Sequence, residues 1–449
     1  MSAEAGGASE LPLLTRGLVL RRAWPLVFAN AAIPLASAAD TFVLGLAGDA
    51  SDIGGVALGG AILSIFLWGF IFLRMGTTGL VAQAIGARNE VEGQRVLLRS
   101  LIVAAVLGSA VLLLRHVIAA AGLGIMQGEA AVSEKAAGYL TARALGAPAA
   151  LAFYALTGWL IGTCRTGATF AVAGFFSLDN IGLELWFVLG LHMGPVGVGV
   201  ATAIADWTAL VVALAVVARA IRARGGWAPA AFDRRALFDA AAMGRLLDVN
   251  LNLMVRTWFL ILGFTWFVNA SAGQGAATLA DNQVLLQVIA IWAFVLDAFA
   301  YVAEAEAGKA FGAKSLPDLR HAVRLTGELA LACGAAFAVL TFAFGGAALT
   351  ALVADAATRD AAIAFLPFCA VVPVLGVPAW ILDGVFIGTT RGAMLRNASI
   401  ASVTVYVVAD LLLAPPLGNF GVWTAFLCFY VARAAALGFY YPQLEARMS

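Results

Sequence analysis

The chain has 449 residues, of which 62% are hydrophobic and only 12% are charged, and its formal net charge is +1. A soluble protein of this length needs far more charged surface, so the composition excludes a soluble globular domain and indicates an integral membrane protein in contact with lipid. The nearly neutral charge balance gives no indication of a nucleic-acid partner.

Apolar stretches long enough for a membrane helix recur twelve times along the chain. About 20 helical residues cross the hydrocarbon core of a bilayer. In chain order, we predict spans at 24–47, 53–80, 97–121, 136–161, 168–191, 196–219, 248–270, 281–307, 322–347, 361–388, 397–414 and 419–440. No small-residue cleavage site follows the polar start of the chain, so the first span is expected to be a retained helix rather than a signal peptide.

Basic residues are distributed unevenly between the predicted spans. If the amino terminus is cytoplasmic, twenty lysines and arginines fall in the inner segments and only Lys135 and Arg359 fall in the outer ones. Positive charge concentrates on the cytoplasmic side of membrane proteins, and one missed or invented span would destroy this asymmetry. We therefore expect an inner-membrane protein with both termini in the cytoplasm.

The chain contains two copies of one unit. Three short segments of the first half recur in the second half with shifts of 226, 226 and 224 residues. They are 84–88 with 310–314, 161–165 with 387–391, and 194–197 with 418–421. Six helices per copy is an even number, so both copies enter the membrane from the same side. We expect two pseudo-symmetric six-helix lobes, residues 1–219 and 248–449, joined by a basic linker at 220–247.

Ionisable residues inside the predicted spans are functional candidates, because a charge near the bilayer centre costs about 3 kcal/mol or more. The deep candidates are Asp40, Glu184, Asp206, Arg256, Asp297, Asp383 and Asp410. Glu304 and Glu306 are expected nearer the cytoplasmic end of their helix, where water solvates them. Structural roles stay open for several of these residues; neutralisation of Asp297 or Asp383 by Arg256 is one.

Asn180 and Glu184 are four residues apart and therefore share one helix face. If Asp40 faces them, the first lobe holds two carboxyl groups and an amide in a pocket of low dielectric constant. Two carboxyl groups at close range do not both ionise without a large cost, so this site is suited to taking up a proton. The same oxygens are suited to surrounding Na⁺, and a purely structural hydrogen-bond network is the third alternative.

Pro25 and Pro34 fall in the first span, and Pro34 precedes Asp40 by about two helical turns. Proline removes a backbone hydrogen bond and permits a kink, which is either a moving hinge or a static bend. The four cysteines are scattered without a CxxC spacing, which supports neither a metal site nor a disulfide framework. Nucleotide-binding motifs are absent, so we expect no cofactor and H⁺ or Na⁺ as the coupling ion.

Short motifs in chain order resemble the multidrug and toxic compound extrusion (MATE) transporters, and most closely their DinF-type branch. In the first half they are 39–45, 76–78, 82–86, Tyr139, Arg143, Pro148, 162–163 and 180–184; in the second they are 251–257, 281–283, 296–300, 382–388 and 396–397. The resemblance covers about residues 20–440. It implies the MATE fold of two six-helix bundles and export of amphipathic, often cationic, compounds driven by a proton or sodium gradient.

Carried over residue by residue, the resemblance implies cation coupling at Asp40, Tyr139, Asn180, Glu184 and Thr202. The family usually has Asp at position 184, and an Asn is common at the position of Thr157, so the coupling ion and its hydration are open to change. Second-rank polar or substrate positions are Asp206, Arg256, Asp297, Asp383 and Gln283.

The sequence therefore predicts a monomeric proton-coupled antiporter, with sodium coupling as the alternative, that binds an amphipathic compound between the lobes. A lipid-linked precursor flippase of the same superfamily is a second possibility, although it usually has extra helices and a cationic central cavity. A membrane-embedded transferase would need an acidic metal- or phosphate-binding motif in a loop, and the loops of this chain are short and basic.

Overall fold

Long helices account for nearly all of the described chain. The computed structural model describes residues 14–47, 49–126 and 128–448, except for the side chains of 32–38, 41 and 47; no strand occurs in these residues. The first half contains α1 Arg16–Ala47, α2 Ala50–Gly69, α3 Phe72–Gly86, α4 Glu90–Leu113, α5 Arg115–Met126, α6 Ala130–Arg143, α7 Ala147–Gly162, α8 Thr166–Glu184 and α9 Gly194–Arg222. The short α10 Arg234–Leu237 is followed by α11 Ala240–Gly273, α12 Ala276–Gly312, α13 Leu316–Leu352, α14 Ala356–Gly388, α15 Gly392–Leu417 and α16 Asn419–Glu445.

Eleven helical spans of the described residues are long and apolar enough to cross a membrane. Together with α1, which has 32 residues, they make the twelve spans expected from hydropathy. Three of the spans consist of paired helices: α2 with α3, α6 with α7 through the 3₁₀ turn Ala144–Gly146, and the short α10 with α11. The all-helical membrane fold predicted from the sequence is confirmed.

The third predicted span, 97–121, ends earlier than expected. α4 stops at Leu113, and Arg115 begins the separate short helix α5. The guanidinium of Arg115 donates a hydrogen bond to the Leu112 carbonyl (3.0 Å), where a positive charge complements the end of the helix. Arg115 is therefore a third basic residue, besides Lys135 and Arg359, in the segments that were predicted to lie on the outer side.

The internal repeat is visible in the backbone. Residues with positive φ end a helix or begin the next, and three pairs of them are related by the shifts found in the sequence. They are Arg88 with Lys314 and Cys164 with Thr390, each shifted by 226 residues, and Gly194 with Gly418, shifted by 224. The chain therefore turns at equivalent points of both copies.

The two bundles approach each other closely at the end of the molecule that carries residues 223–239, here called the linker end. There α3 crosses α12. A Cβ atom on Gly86 would lie 2.0 Å from the carbonyl oxygen of Lys309, and one on Gly312 would lie 2.0 Å from that of Gln83. These contacts are reciprocal, because both pairs of equivalent positions differ by 226 residues. The pseudo-twofold axis therefore passes through a crossing at which only glycine fits without displacement of the backbone.

α3 is the central element of this junction, and 12 of its 15 residues are buried. On one side it packs against α7, where a Cβ on Gly158 would lie 2.4 Å from the Arg74 carbonyl oxygen. On the other side it packs against α12 of the second bundle. Polar residues of α3 are consequently held away from water, between the two bundles.

Candidate functional site

A cavity of about 560 Å³ lies inside the first bundle. Its wall is formed by α1, α2, the start of α3, and α6 to α9, and Tyr301 of α12 is the contribution of the second bundle. This volume is within the range of small-molecule sites. The helices of the first bundle enclose most of this cavity, and it corresponds to the first-lobe cavity of the predicted mechanism.

The acid pair predicted from the sequence is assembled at this cavity. Asp40 comes from α1 and Glu184 from the end of α8, and their carboxyl groups are within hydrogen-bonding reach of each other. Asp40 lines the cavity, whereas Glu184 is fully buried behind it. Asn180, one turn earlier on α8, is also buried and donates from Nδ2 to Glu184 Oε1. The structure thus brings Asp40, Asn180 and Glu184 together.

Three buried oxygens of this group accept no hydrogen bond within the described part of the chain: Asp40 Oδ1, Asn180 Oδ1 and Glu184 Oε2. Buried polar oxygens normally have partners, and those without one are a common property of functional sites. Two carboxyl groups this close hold one proton between them. They can take up a second proton, or they can release the shared proton and bind a cation in its place. The chemistry available here is therefore reversible uptake of positive charge.

Tyr139 and Thr202 also line the cavity, as expected from the resemblance. The ring of Tyr139 packs against α2, where a Cβ on Gly59 would lie 2.7 Å from its Cδ1 atom. The hydroxyl of Thr202 donates to the Val198 carbonyl oxygen (2.9 Å) and keeps its lone pairs for another partner. Both residues lie in the chamber that contains Asp40.

Asp206 lies on the same cavity wall, and its carboxylate forms a buried ion pair with Arg143. The pair sits at the 3₁₀ turn between α6 and α7, where a Cβ on Gly146 would lie 2.4 Å from Asp206 Oδ2. Arg143 was missed as a site residue, although it is a charge inside the predicted span 136–161 and satisfied the criterion applied to the acids.

The remaining second-rank candidates lie in the second bundle, away from this cavity. Asp383 Oδ2 accepts hydrogen bonds from both Arg256 and Arg433, so the structural role considered for Arg256 is what the structure shows. Asp297 is half-buried near these two guanidinium groups and Arg74. Gln283 lies in the first turns of α12, at the opposite end from the linker, and Asp410 accepts a hydrogen bond from the Trp266 indole (2.8 Å).

The solvated position expected for Glu304 and Glu306 is wrong. Glu304 is fully buried, and its carboxylate pairs with Arg74 of α3 (3.3 Å). Glu306 is mostly buried and pairs with Arg22 of α1 and with Lys309 (2.9 Å). The first bundle covers this end of α12, which excludes water from it. Arg74 was also missed, although it is a charge inside the predicted span 53–80.

The first predicted hinge, Pro25, lies within α1 and is half-buried beside Leu26, a cavity residue. The side chain of the second, Pro34, lies outside the described residues. Among the residues that the structure describes, no group of three or more His, Cys, Asp or Glu side chains is arranged to hold a metal ion.

Comparison with known proteins identifies the family. The MatE family model matches residues 25–186. DNA damage-inducible protein F of Escherichia coli (strain K12) is 35% identical over 422 residues, which is 92% of this chain and 89% of that protein. This chain belongs to the MatE family.

Other MatE comparisons agree. A probable multidrug resistance protein NorM of Halalkalibacterium halodurans is 26% identical over 438 residues, 91% of this chain and 90% of that protein. A crystal structure of MATE in the bent conformation superposes with a TM-score of 0.85 at 18% identity, covering 96% of this chain and 95% of that one. An outward-facing multidrug resistance MATE family transporter gives 0.84 at 18% identity, covering 96% of both chains. At that identity the structural matches show a shared fold.

The MatE chain is accordingly a multi-pass membrane protein that works as a secondary antiporter and is not an enzyme. The transport function predicted from the sequence is confirmed at the level of the family, and the transferase alternative is not. Proteins of this family act on small molecules and need no cofactor.

Proposed function

We propose that this MatE protein exports amphipathic, cationic small organic molecules from the cytoplasm in exchange for protons. The observation that carries the proposal is the Asp40–Glu184 acid pair beside the cavity. Three other deep acids already have a fixed positive partner: Asp206 has Arg143, Glu304 has Arg74, and Asp383 has two arginines. A carboxylate beside a guanidinium stays ionised and has little reason to exchange its partner, whereas an acid pair must take up positive charge from elsewhere.

The position of Asp40 makes the proton and the substrate competitors. Asp40 faces the cavity, so a cationic group of the substrate and a proton neutralise the same carboxylate. Electrostatic attraction is strong in this partly dehydrated chamber, and protonation of the pair removes it. The proton thus releases the substrate, and the substrate displaces the proton, as exchange requires. Aromatic and aliphatic lining residues, such as Trp68, Phe153 and Tyr154, accept the apolar part of the substrate.

Bending of α1 is the proposed link between protonation and movement. Asp40 and Pro25 belong to the same helix, and proline permits a bend because it lacks one backbone donor. Protonation would bring the Asp40 side chain closer to its acid partner, bend α1 and contract the cavity. The substrate would then be expelled from the first bundle.

The proposed setting is the inner membrane, with the linker end and both termini in the cytoplasm. The basic residues of the inner segments support this orientation. The bundles are in contact at the linker end, so the described conformation corresponds to one closed toward the cytoplasm. We retain 1–219 and 248–449 as the lobes and 220–247 as the linker. We also propose a monomer.

Sodium is the second candidate for the coupling ion. The partnerless oxygens of Asp40, Asn180 and Glu184 are hard oxygen donors on one buried site, the type of ligand that Na⁺ takes. Glu184 replaces the Asp usual in the family, and the additional methylene changes how closely the oxygens approach an ion.

Purified protein in liposomes tests the proposal. An imposed pH gradient should drive extrusion of a fluorescent amphipathic cation, and Asp40→Asn should abolish it while leaving the protein folded. Asp179→Asn is the matched control, because Asp179 is the neighbour of Asn180 on α8 but accepts from Thr208 instead of facing the cavity. Full activity of Asp40→Asn would end the assignment. A sodium gradient at constant pH decides between the two ions.

A further inference from the structure

One ion pair joins the two bundles and also forms part of the cavity. Nη1 of Arg74, in the first turn of α3, lies 3.3 Å from Oε2 of Glu304 on α12. The side chains are 7% and 0% exposed, so the pair is shielded from water. Arg74 and Tyr301 line the cavity together, and the Tyr301 ring stacks on the guanidinium at 4.3 Å. A change in what fills the cavity therefore acts directly on a contact between the bundles.

The positive partner of Glu304 comes from the first bundle. The Thr78 hydroxyl, one turn further along α3, donates to the Arg74 carbonyl oxygen (2.9 Å) and so leaves Arg74 as the hydrogen-bond partner of the Glu304 carboxylate among the described residues. When the bundles separate at this end, Glu304 loses this partner. Glu306 differs, because Lys309 of its own helix stays with it (2.9 Å) after Arg22 has withdrawn. Separation of the bundles is therefore resisted more by Glu304 than by Glu306.

The Arg74–Glu304 pair also has fewer hydrogen bonds than a permanent structural contact between the bundles would have. Nε and Nη2 of Arg74 and Oε1 of Glu304 are buried and have no hydrogen-bond partner within the described residues. Buried charges stabilise a protein only when their other polar atoms also have hydrogen-bond partners. The net free energy with which this contact holds the bundles together is therefore small. Such a contact is suited to being broken and remade in each cycle.

We propose that Arg74 is a positioning residue for transport, and that its ion pair with Glu304 acts as a latch that holds the linker end closed. The pair also forms the wall of the cavity beside Tyr301. It must break before the cavity opens toward the linker. The inference rests on the proposed export function, taken to work by alternating access, in which the cavity opens in turn to the two sides of the membrane. It adds the specific contact that sets the balance between the two orientations. Cavity contents and closure of the linker end are coupled because one guanidinium takes part in both.

Cys164 is a native reporter for the test. This residue is half-buried, and its thiol donates to Glu306 Oε1 (3.1 Å) across the same junction, so it becomes more accessible when the bundles separate at the linker end. The other three cysteines are replaced by alanine, and thiol labelling from the linker side is measured in membrane vesicles without substrate or ion gradient. Glu304→Gln and Arg74→Gln are expected to raise the labelling rate on the order of tenfold. The charge-swapped double variant, Arg74→Glu with Glu304→Arg, is expected to return it toward the parent rate.

Arg16→Gln is the matched control. Arg16 also joins the bundles, through Glu328 (2.7 Å), but these side chains are 69% and 42% exposed, and its removal should leave labelling unchanged. If a single variant does not fold, Glu304→Asp carries the same test with a smaller increase, because the shorter side chain lengthens the contact with Arg74. Unchanged labelling in the folded variants would overturn the latch. That result would leave proton-coupled export intact, because the measurement involves neither protons nor substrate.

Discussion

Replacement of Gly86 by alanine tests the α3–α12 crossing most directly. The added Cβ would lie 2.0 Å from the Lys309 carbonyl oxygen, and ordinary contact begins at 3.4 Å, so the helices must separate by about 1.4 Å. Overpacking of this kind costs about 1–3 kcal/mol. Alanine is a better helix former than glycine by up to about 1 kcal/mol, and this gain is the same whether the linker end is open or closed. The strain is specific to the state in which the bundles touch here, so Gly86→Ala should shift the equilibrium toward opening at the linker end by about 5- to 150-fold.

The assay combines thiol labelling of Cys164 with thermal unfolding in detergent. Gly86→Ala should speed labelling with little loss of thermal stability, because opening relieves the strain. Gly108→Ala provides the contrast: its Cβ would lie 2.4 Å from Pro148 Cα within the first bundle, so it should lower the melting temperature without faster labelling. Gly60→Ala, with no atom within 4 Å, should alter neither. Identical behaviour of the Gly86 and Gly108 variants would refute the reasoning, since the crossing would then be a fixed contact.

Three further substitutions test the buried charges and the linker. Arg143→Met should lower the free energy of unfolding by about 3–5 kcal/mol by stranding the Asp206 carboxylate, and adding Asp206→Leu should recover most of the loss; chemical denaturation of the two variants measures the difference. Asp383→Asn removes the carboxylate that pairs directly with two buried guanidinium groups and should cost a similar 3–5 kcal/mol by the same measurement. Arg99→Ala removes hydrogen bonds to two linker carbonyls (2.9 and 2.6 Å), so trypsin should cleave the linker faster, whereas Arg95→Ala removes one such bond and should have a smaller effect.

Hydropathy predicted the fold well because each membrane helix must satisfy its own backbone hydrogen bonds and expose an apolar surface to lipid. Both requirements are local, so a window of about 20 residues contains the necessary information. The error at Arg115 arose where the apolar stretch continues past the end of α4. A single basic residue ended the helix there, and average hydropathy does not weight one charge heavily enough.

The acid pair was predicted for a different reason. Asn180 and Glu184 follow each other on one helix face, which periodicity alone establishes. Asp40 is singled out as their partner because it is another acid deep in a predicted span, and the family resemblance implies the same residue. The pairing of Asp206 with Arg143 and of Glu304 with Arg74 was not predicted. Every arginine inside a predicted span is as costly to bury as an acid, so Arg143 and Arg74 meet the same criterion as the acids, but the sequence does not indicate which acid each arginine contacts.

The sequence by itself determined the number of spans, the duplication with its 226-residue shift, and the charge asymmetry, because each is a property of order along the chain. Only the tertiary structure decided which buried charges neutralise one another and which remain available for exchange. Arg74 and Glu304 are 230 residues apart, and their contact depends on how two helices of different bundles pack. Packing is settled by the combined shape of many side chains, and no segment of the sequence contains that information alone.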